Sequence, residues 1–508
     1  MTTHNFSYAD LLERNAQAVG DSPALIEGDV VVTHRQLHRS SLALARWMSS
    51  QGLVAGDRVA VLASNRSRFL ELLGAAAVLG LTVVLLNTRT SVAEVAGLVD
   101  DSAPCLLFCE EAFLPLLADV PETVTCHNFA YAVERLRPWP QIVGDADNDL
   151  ATAMLGGSLF TVSSRLPLVA IPTAAVNGRP RLALLSHAAL LHQALQLAQL
   201  WRLDADTRHL CVLPLFHMAG LGMTLATQVS GGSTVLMSRF DASEAVQHIE
   251  DHGVTCFTSF APILGTLLDH AQAKGASLGS LRVVTGLESA ETVERLQLQC
   301  PKAMFWSGYG QTETGGLVCM APFEEGAGFA GRALPTVALR IETGEGNPAK
   351  VGEQGEIVLR SPGVFEGYWE QALATQHVGR GGWHHTGDLG RLDSQGRLWF
   401  MGRAPEKALI KSGGENIYPA EVEHALLSHP SVTAAVVFGV PDVRWGEAVR
   451  AVCVLTPGAT TTADELIEHV GQRIARFKRP RDVVLALDLP QRADGTWNRE
   501  AIVAAYTP

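Results

Sequence analysis

The sequence predicts an α/β protein whose sheets are mostly parallel and covered by helices on both faces. Apolar runs rich in β-branched residues lie at 58–62, 82–86 and 234–237, and helical stretches such as 188–200 lie between such runs. This alternation is typical of parallel sheets with two buried faces. With 508 residues, of which 47% are hydrophobic and 18% charged, the chain has enough apolar material for at least two globular domains.

The longest apolar run, residues 72–86, contains Gly80 and Thr82 and is shorter than the roughly 20 apolar residues that cross a bilayer. We interpret it as a helix, a turn and a strand, and we expect no transmembrane segment. Residues 1–16 contain no basic segment followed by an apolar one, so no export signal is expected.

The middle of the chain predicts a smaller, β-rich subdomain. Glycine and proline are dense at 326–335, and four more glycines follow, at Gly344, Gly346, Gly352 and Gly355. A glycine-containing turn at 393–396 then precedes a predicted strand at 398–401, which Gly402 and Arg403 follow directly.

The segment after Arg403 predicts a separate α/β unit. It contains a helix at 419–429, a strand at 433–438 and a helix at 462–476. We therefore expect two domains, which are residues 1–402 and residues 403–508.

The charge and the cysteine content limit the classes of partner and the cellular compartment that are expected. The formal net charge is −13 and no long Lys/Arg run is present, so nucleic acid is not expected as a partner. The eight cysteines are scattered singly, with no paired spacing beyond Cys105 and Cys109. This pattern favours a reduced cytoplasmic protein.

The densest loop chemistry lies in residues 383–423. Within it, Gly387 permits an unusual backbone angle before Asp388, whose carboxylate can accept two hydrogen bonds. Such an acidic turn suits a vicinal diol, as in ribose. The alternative is that Asp388 caps a turn and that Arg403 is an ordinary surface arginine.

A second polar cluster is the sequence YGQTE at residues 309–313. Tyr309 offers a flat face to a purine, Thr312 offers a hydroxyl to a phosphate oxygen, and Glu313 offers a hard carboxylate suited to Mg²⁺. The alternative is a strand end followed by a helix start, with Thr312 as the N-cap.

These two motifs and four further segments resemble the acyl-adenylate-forming (AMP-binding) superfamily, of the acyl-CoA synthetase or acid–thiol ligase type. The further segments are GDRVA at 56–60, GLTVVLLNTR at 80–89, PLFHMAG at 214–220 and VPDVRWGE at 440–447. The resemblance therefore extends over nearly the whole chain.

The resemblance implies a fold and a moving part. The implied fold has a large N-terminal domain of two doubly covered, mostly parallel sheets with the β-rich subdomain, and a small, mobile α+β C-terminal domain. In this superfamily the small domain rotates about a linker that follows a Gly-Arg step. Gly402-Arg403 matches that step, and Pro405 and Glu406 are the candidate hinge residues.

The resemblance also implies a reaction, in which a carboxylate, ATP and coenzyme A give an acyl-CoA, AMP and pyrophosphate. The expected cofactors are ATP/AMP, Mg²⁺ and coenzyme A, and the expected substrate is a small organic acid. The acceptor thiol belongs to coenzyme A or to a carrier protein, and a homodimer is left open. Leu287 and Glu288 are bulkier than the residues common at these positions, which favours a shortened pocket or a polar acid.

Site residues follow from the matched motifs. The implied catalytic positions are His217, Glu313, Arg181 and Thr496, with Glu313 as the metal ligand. The implied nucleotide-binding residues are Thr173, Asn177, Gly178, Glu288, Tyr309, Gly310, Gln311, Thr312, Asp388 and Arg403. The implied coenzyme A-binding residues are Lys411, Ser412, Gly413, Gly414 and Trp445. The alternatives are that His217 is an ordinary core histidine and that residues 440–447 form a simple turn around a packed Trp445.

Two departures from the superfamily pattern fall where phosphate is handled. The phosphate loop at 173–181 has no hydroxyl at 174–176 and carries Arg181 where the pattern has lysine, and Thr496 stands at the place of the C-terminal lysine. A hydroxyl cannot supply that positive charge, so we predict a weakened or altered adenylation step. Arg492 and Arg499 are the nearby cations that could substitute.

Two other functions remain as alternatives. One is a non-catalytic homologue that binds nucleotide or acyl ligands, and the other is a transferase that accepts pre-activated acyl groups without ATP.

Overall fold

The chain folds around three sheets, two in the N-terminal domain and one in the C-terminal domain, within the residues that the structure describes. The structure is a computed structural model that describes residues 6–130, 136–140, 162–176, 179–326, 328–344, 346–403, 409–412, 415–442, 445–492 and 497–507.

The helices lie between or beside the sheets. They are α1 Tyr8–Ala18, α2 His34–Ser50, α3 Ser67–Leu79, α4 Val92–Ser102, α5 His187–Trp201, α6 Met218–Val229, α7 Ala242–His252, α8 Ile263–Lys274, α9 Ala290–Gln299, α10 Ala372–Val378, α11 Pro419–Leu427, α12 Ala463–Arg473 and α13 Arg499–Tyr506.

The strands are numbered in chain order. They are β1 Pro23–Glu27, β2 Val30–Thr33, β3 Arg58–Leu62, β4 Thr82–Leu85, β5 Leu106–Cys109, β6 Thr125–His127, β7 Pro167–Val176, β8 Arg179–Ser186, β9 Arg208–Cys211, β10 Ser233–Leu236, β11 Cys256–Phe260, β12 Val283–Leu287, β13 Met304–Gln311, β14 Gly316–Pro322, β15 Phe329–Ala333, β16 Ala338–Glu342, β17 Gly355–Arg360, β18 Gly367–Tyr368, β19 His384–Leu392, β20 Arg397–Arg403, β21 Ile410–Ser412, β22 Glu415–Ile417, β23 Val432–Asp442, β24 Gly446–Leu455 and β25 Asp482–Ala486.

The first sheet has the order β18-β8-β7-β4-β3-β5-β6 and is parallel from β7 to β6. Successive side chains of β3 point to opposite faces, as a strand requires. Val59 and Val61 pack into a core that includes residues of α1, α2 and α3, whereas Ala60 and Leu62 pack into a second core with α4. Both faces are therefore buried, as the apolar run predicts.

The second sheet has the order β16-β17-β19-β20-β15-β14-β13-β12-β11-β9-β10-β1-β2. It is parallel from β1 to β13 and antiparallel from β14 to β16. The core that contains Val59 also contains Leu25 and Cys211 of this second sheet, so the helices between the two sheets share one apolar layer. The β-rich part predicted from its glycines is present, and it extends the second sheet by hydrogen bonds.

The third sheet forms the C-terminal domain, in the order β22-β21-β24-β23 with β25 paired to β24. Helices α11 and α12 pack on one face of this sheet, and α13 packs on the other. The predicted α/β fold class, with a large N-terminal and a small C-terminal domain, is confirmed.

The run 72–86 forms a helix, a turn and a strand, as predicted. Helix α3 is capped at its C-terminus by Gly80, whose φ of 73° is left-handed, and β4 follows it. In the described part of the chain, none of the helices combines the length and apolar character that a membrane crossing needs.

Candidate active site

A cavity of about 1180 Å³ opens where the second sheet faces the C-terminal domain. Strands β9, β10, β11, β12 and β13 are parallel there, and each contributes its carboxyl end or the residues just after it. Open α/β sheets bind ligands at this edge because the loops that leave the strands converge there. The cavity is also lined by residues of β8, β18 and β20 and of the C-terminal domain.

Asp388 is a buried carboxylate that is fixed by its neighbours. It is 1% exposed, and its Oδ2 accepts a hydrogen bond from the Tyr309 hydroxyl at 2.6 Å and one from Gln311 Nε2 at 3.1 Å. Burial and then the Asp388 charge raise the pKa of Tyr309 well above its ordinary value, so the phenol remains a donor.

The second oxygen of Asp388 remains available. Oδ1 lies 3.2 Å from Arg403 Nε as an ion pair but accepts no hydrogen bond from any described residue. A buried oxygen without a hydrogen bond is costly, and a ligand hydroxyl would satisfy it. This arrangement suits the diol that the sequence suggests.

The backbone at Asp388 corrects one detail of the prediction. Residues 386–388 lie inside strand β19 and do not form a turn. Gly387 still has a left-handed φ of 66°, as its sequence position indicates. Arg403 ends strand β20 directly opposite Asp388, since the two residues are register partners.

Glu313 and Arg181 both contact Tyr368. Glu313 Oε1 accepts a hydrogen bond from the Tyr368 hydroxyl at 2.8 Å, and the Arg181 guanidinium lies 5.4 Å from the Tyr368 ring centroid. All three residues line the cavity. Burial and then Glu313 raise the pKa of Tyr368, which keeps its hydroxyl protonated.

Sequence reasoning did not identify Tyr368. The two-residue strand β18 pairs Tyr368 with Ala183 on β8, two residues from Arg181, so the tyrosine and the arginine share a face of the sheet. No local motif signals a strand of two residues, and the contact becomes visible only through this pairing.

The 309–313 cluster forms the end of strand β13 and the start of a short 3₁₀ turn. Gln311, and not Thr312, occupies the N-cap position of that turn. Tyr309, Gly310, Gln311 and Thr312 all line the cavity, and the Tyr309 ring stacks on Phe400 with centroids 6.0 Å apart. The cluster is therefore part of the cavity wall.

The phosphate-loop segment is divided between described and undescribed residues. Thr173 and Arg181 are register partners on β7 and β8, both line the cavity, and the Thr173 hydroxyl donates to the Arg181 carbonyl oxygen at 3.2 Å. Asn177 and Gly178 lie outside the described residues, as do the hinge candidates Pro405 and Glu406 and the lysine-position residue Thr496.

His217 lines the cavity at the N-terminus of α6. Its ring lies 4.9 Å from the ring of Phe216, and burial lowers its pKa below the ordinary value, so it is neutral near pH 7. The predicted nucleotide contact Glu288 is placed differently. Its carboxylate accepts from the Ser259 hydroxyl at 2.7 Å, and it is absent from the cavity wall, where Leu287 is present.

The described residues among those predicted for coenzyme A lie on strand β21 or just before strand β24 of the third sheet. Lys411 lines the cavity, and Ser412 pairs with Gly446 next to Trp445, over which the Arg481 guanidinium lies at 5.4 Å from the ring centroid. Ser412 and Trp445 do not themselves line the cavity. Gly413 and Gly414 lie outside the described residues.

The sequence also gave no sign of the charged contacts between the two domains. Arg89 pairs with Glu415, and Lys478 contacts both Glu94 and Glu421. All five side chains belong to residues that line the cavity. These contacts hold the C-terminal domain against the part of the cavity wall that the N-terminal domain forms.

Comparison with known proteins agrees with this architecture. The family model for the AMP-binding enzyme matches residues 12–369, and the model for the AMP-binding enzyme C-terminal domain matches residues 421–496. An indoleacetate–CoA ligase of Aromatoleum aromaticum is 34% identical over 90% of this chain and 90% of its own length. A feruloyl-CoA synthase of an Amycolatopsis species is 34% identical over 95% of each chain.

Solved structures of o-succinylbenzoate CoA synthetase from Bacillus subtilis are also similar, at 27% identity. A double mutant bound with its product analogue superposes with a TM-score of 0.82 and covers 96% of this chain and 97% of its own. The complex with AMP has a TM-score of 0.68 and covers 96% of this chain and 98% of its own. The predicted enzyme class, an AMP-forming acid–thiol ligase, is the class of the family and of these relatives and is confirmed. The chain belongs to the AMP-binding enzyme family.

Proposed function

We propose that this chain joins an aromatic or arylalkyl carboxylic acid to coenzyme A in two half-reactions. In the first, a carboxylate oxygen attacks the α-phosphorus of ATP and pyrophosphate leaves. In the second, the thiol sulfur attacks the acyl carbonyl, the thiol proton is lost, and AMP leaves. The observation that carries the proposal is the buried Asp388 carboxylate, whose Oδ1 lacks a hydrogen bond from the described residues at the wall of the large cavity.

The nucleotide binds along β13 and β19. The ribose hydroxyls reach Asp388, and Arg403 provides a positive charge beside them. Tyr309, Gly310, Gln311 and Thr312 form the adjoining wall. Thr173 and Arg181 stand toward the phosphates, and Asn177 and Gly178 are proposed as phosphate-binding residues from their sequence positions.

Glu313 is the magnesium ligand. In the described residues, no group of three or more His, Cys, Asp or Glu side chains could hold a metal ion. Mg²⁺ fits a site with one protein carboxylate, because it is usually bound through one or two carboxylates together with substrate phosphates and water. When bound, it supplies neutralisation of the phosphate charge, while Tyr368 orients the Glu313 carboxylate.

The acid occupies the apolar part of the cavity. The aromatic side chains that line the cavity include Trp201, Phe216, Phe240 and Phe260. Rings on the wall favour a flat aromatic acid, because offset or edge contacts between rings add to area burial. The indoleacetate and feruloyl relatives, whose acids are aromatic, support this class. His217, neutral and next to Phe216, faces the acid as a hydrogen-bonding group.

The C-terminal domain, residues 403–508, turns about Pro405 or Glu406, and its proposed coenzyme A-binding residues are Lys411, Ser412, Gly413, Gly414 and Trp445. Coenzyme A is preferred over a carrier protein because both relatives above are CoA enzymes. The two o-succinylbenzoate CoA synthetase structures cover the same share of this chain, but the TM-score is higher for the product-analogue complex than for the AMP complex. This difference supports a thioester-forming arrangement of the two domains in this chain. Eight free cysteines support a reducing compartment, the cytoplasm.

Adenylation is the weaker half-reaction. Arg181 keeps a positive charge toward the phosphates, but Thr496 cannot replace the lysine charge at its position. Loss of one such preorganised group typically lowers a rate by about 10²- to 10³-fold. The thiol step does not depend on this position.

Thioester formation over a panel of aromatic, arylalkyl and straight-chain acids tests the function. With ATP, Mg²⁺ and coenzyme A, we expect acyl-CoA and AMP in equal amounts, and higher kcat/KM for the aromatic and arylalkyl acids. Acyl-CoA formed without ATP from pre-activated acyl donors alone would instead indicate a transferase.

Asp388→Asn tests the observation that carries the proposal. The amide keeps the shape of the side chain but lacks the charge, so we expect AMP to bind about 10- to 100-fold more weakly by calorimetry. Asp269→Asn, at an exposed position that pairs with Arg295, is the matched control and is expected to bind AMP like the wild type. Unchanged affinity of Asp388→Asn would contradict the assigned site.

A further inference from the structure

The N-terminus of helix α4 is a docking point for the C-terminal domain. Glu94 lies in the first turn of this helix, and Lys478 Nζ bridges it to Glu421 of α11, at 2.6 Å from Glu421 Oε1. The side chains of Lys478, Glu94 and Glu421 are 12%, 9% and 4% exposed. One ammonium thus lies between two carboxylates in a nearly dry contact, which we call the Lys478 bridge.

Glu94 is held to both domains at once. Its Oε2 accepts hydrogen bonds from the backbone of Ser91 at 2.8 Å and the hydroxyl of Thr90 at 2.5 Å, within its own helix cap. The same oxygen accepts from the Ala475 backbone nitrogen at 3.0 Å, across the domain contact. The N-terminal domain therefore orients the Glu94 carboxylate, and the C-terminal domain donates hydrogen bonds to it.

Other polar contacts beside the bridge are more exposed. Arg89 pairs with Glu415, but the arginine side chain is 54% exposed, and such pairs contribute little to stability. The Ser91 hydroxyl donates to the Arg473 carbonyl oxygen at 3.3 Å. Among the described residues, the Lys478 bridge is thus the most buried charged contact of this region. Removal of one partner of a buried charged contact leaves a charge unpaired, so such contacts can specify geometry.

The bridge distinguishes one domain arrangement from another. Lys478 and Glu421 both belong to the C-terminal domain, so their contact moves with that domain as it rotates. Glu94 belongs to the N-terminal domain, so its contacts with Lys478 and with Ala475 break when the domain rotates away. The three side chains also line the cavity, which places the bridge at the rim of the site.

We propose that Lys478 is a positioning residue for the thiol-transfer step, and that its bridge to Glu94 holds the C-terminal domain in the thioester-forming arrangement. This inference rests on the proposed two-step function. Lys478 does not touch the reacting atoms. It acts by setting the fraction of molecules whose domains are placed for attack by the thiol.

Separate measurement of the two half-reactions tests the proposal. With an acyl adenylate and coenzyme A supplied, Lys478→Met and Glu94→Gln are expected to form thioester at least about 10-fold more slowly than the wild type. Acid-dependent ATP–pyrophosphate exchange by the same variants is expected to be unchanged or faster. Lys478→Arg, which keeps the charge, is expected to recover part of the thioester rate, and Lys274→Met, at an exposed position on α8, to match the wild type.

An equal fall of both half-reactions, or no change in either, would overturn the proposal. If a thermal melt shows that Lys478→Met does not fold, Glu94→Gln alone tests the proposal, because it leaves the Lys478–Glu421 contact in place. A wild type that makes no thioester from acid, ATP and coenzyme A or from supplied acyl adenylate would refute the proposed function itself. A working wild type with unaltered variants would refute the bridge alone.

Discussion

Replacing Glu313 by glutamine is expected to lower acyl-adenylate formation by about 10²- to 10³-fold, the usual effect of removing one preorganised charged group. Glutamine retains an oxygen that can accept the Tyr368 hydroxyl, so the contact at 2.8 Å can persist and the fold should be retained. What is lost is the negative charge that attracts Mg²⁺. Acid-dependent ATP–pyrophosphate exchange, measured over a Mg²⁺ titration, gives both the rate and the metal dependence.

Two control variants distinguish the loss of the Glu313 carboxylate from changes in its surroundings. Tyr368→Phe removes the orienting hydroxyl and is expected to have a smaller effect than Glu313→Gln. Glu324→Gln removes a carboxylate that is 49% exposed and pairs with Arg397, and it should exchange like the wild type. If Glu313→Gln exchanges at the wild-type rate at every Mg²⁺ concentration, Glu313 is not the metal ligand.

Replacing Thr496 by lysine is expected to raise adenylation by about 10²-fold or more, because it restores a positive charge where the superfamily pattern has one. The measurement is ATP–pyrophosphate exchange with the best acid of the panel. Thioester formation from supplied acyl adenylate should change little in the same variant, because the thiol step does not use this position. Exchange that stays at the wild-type level would contradict this account of the weak step.

The structure ranks the two arginines that could substitute for the lysine. Arg499 is occupied, since its guanidinium donates to both carboxylate oxygens of Glu423, at 2.6 and 2.7 Å, and to the Val437 carbonyl oxygen. Both arginines line the cavity, but the ion pair of Arg492 with Glu500 is long, at 3.7 Å, and exposed, so Arg492 is the freer of the two. Loss of residual exchange in Arg492→Met would therefore identify the substitute cation.

Much of the fold is encoded in local patterns. The apolar run at 72–86 becomes helix, turn and strand because Gly80 can adopt a left-handed backbone and β-branched residues follow it. Asp388 and Arg403 are each indicated by a local motif, and the strand register then places them opposite each other. Such features depend on neighbours in sequence, so sequence reasoning finds them.

Contacts between distant segments were not predictable in this way. Tyr368 meets Glu313 and Arg181 through the pairing of β18 with β8, and Lys478 meets Glu94 across 384 positions of sequence. Glu288 lies in a motif of the right kind, yet its carboxylate accepts a hydrogen bond from Ser259 on strand β11, a contact that the motif does not indicate. Side-chain direction and strand register decide these contacts, and neither is fixed by composition or spacing.

The most direct test of the central claim is a single-turnover comparison of the two half-reactions in the wild-type chain. One experiment measures acyl adenylate formed from acid, ATP and Mg²⁺, and the other measures thioester formed from supplied acyl adenylate and coenzyme A. We predict that the thiol step is faster by about 10²-fold or more, since the thiol site is retained and a cation of the adenylation site is lost. Adenylate formation as fast as thioester formation, or faster, would contradict the account.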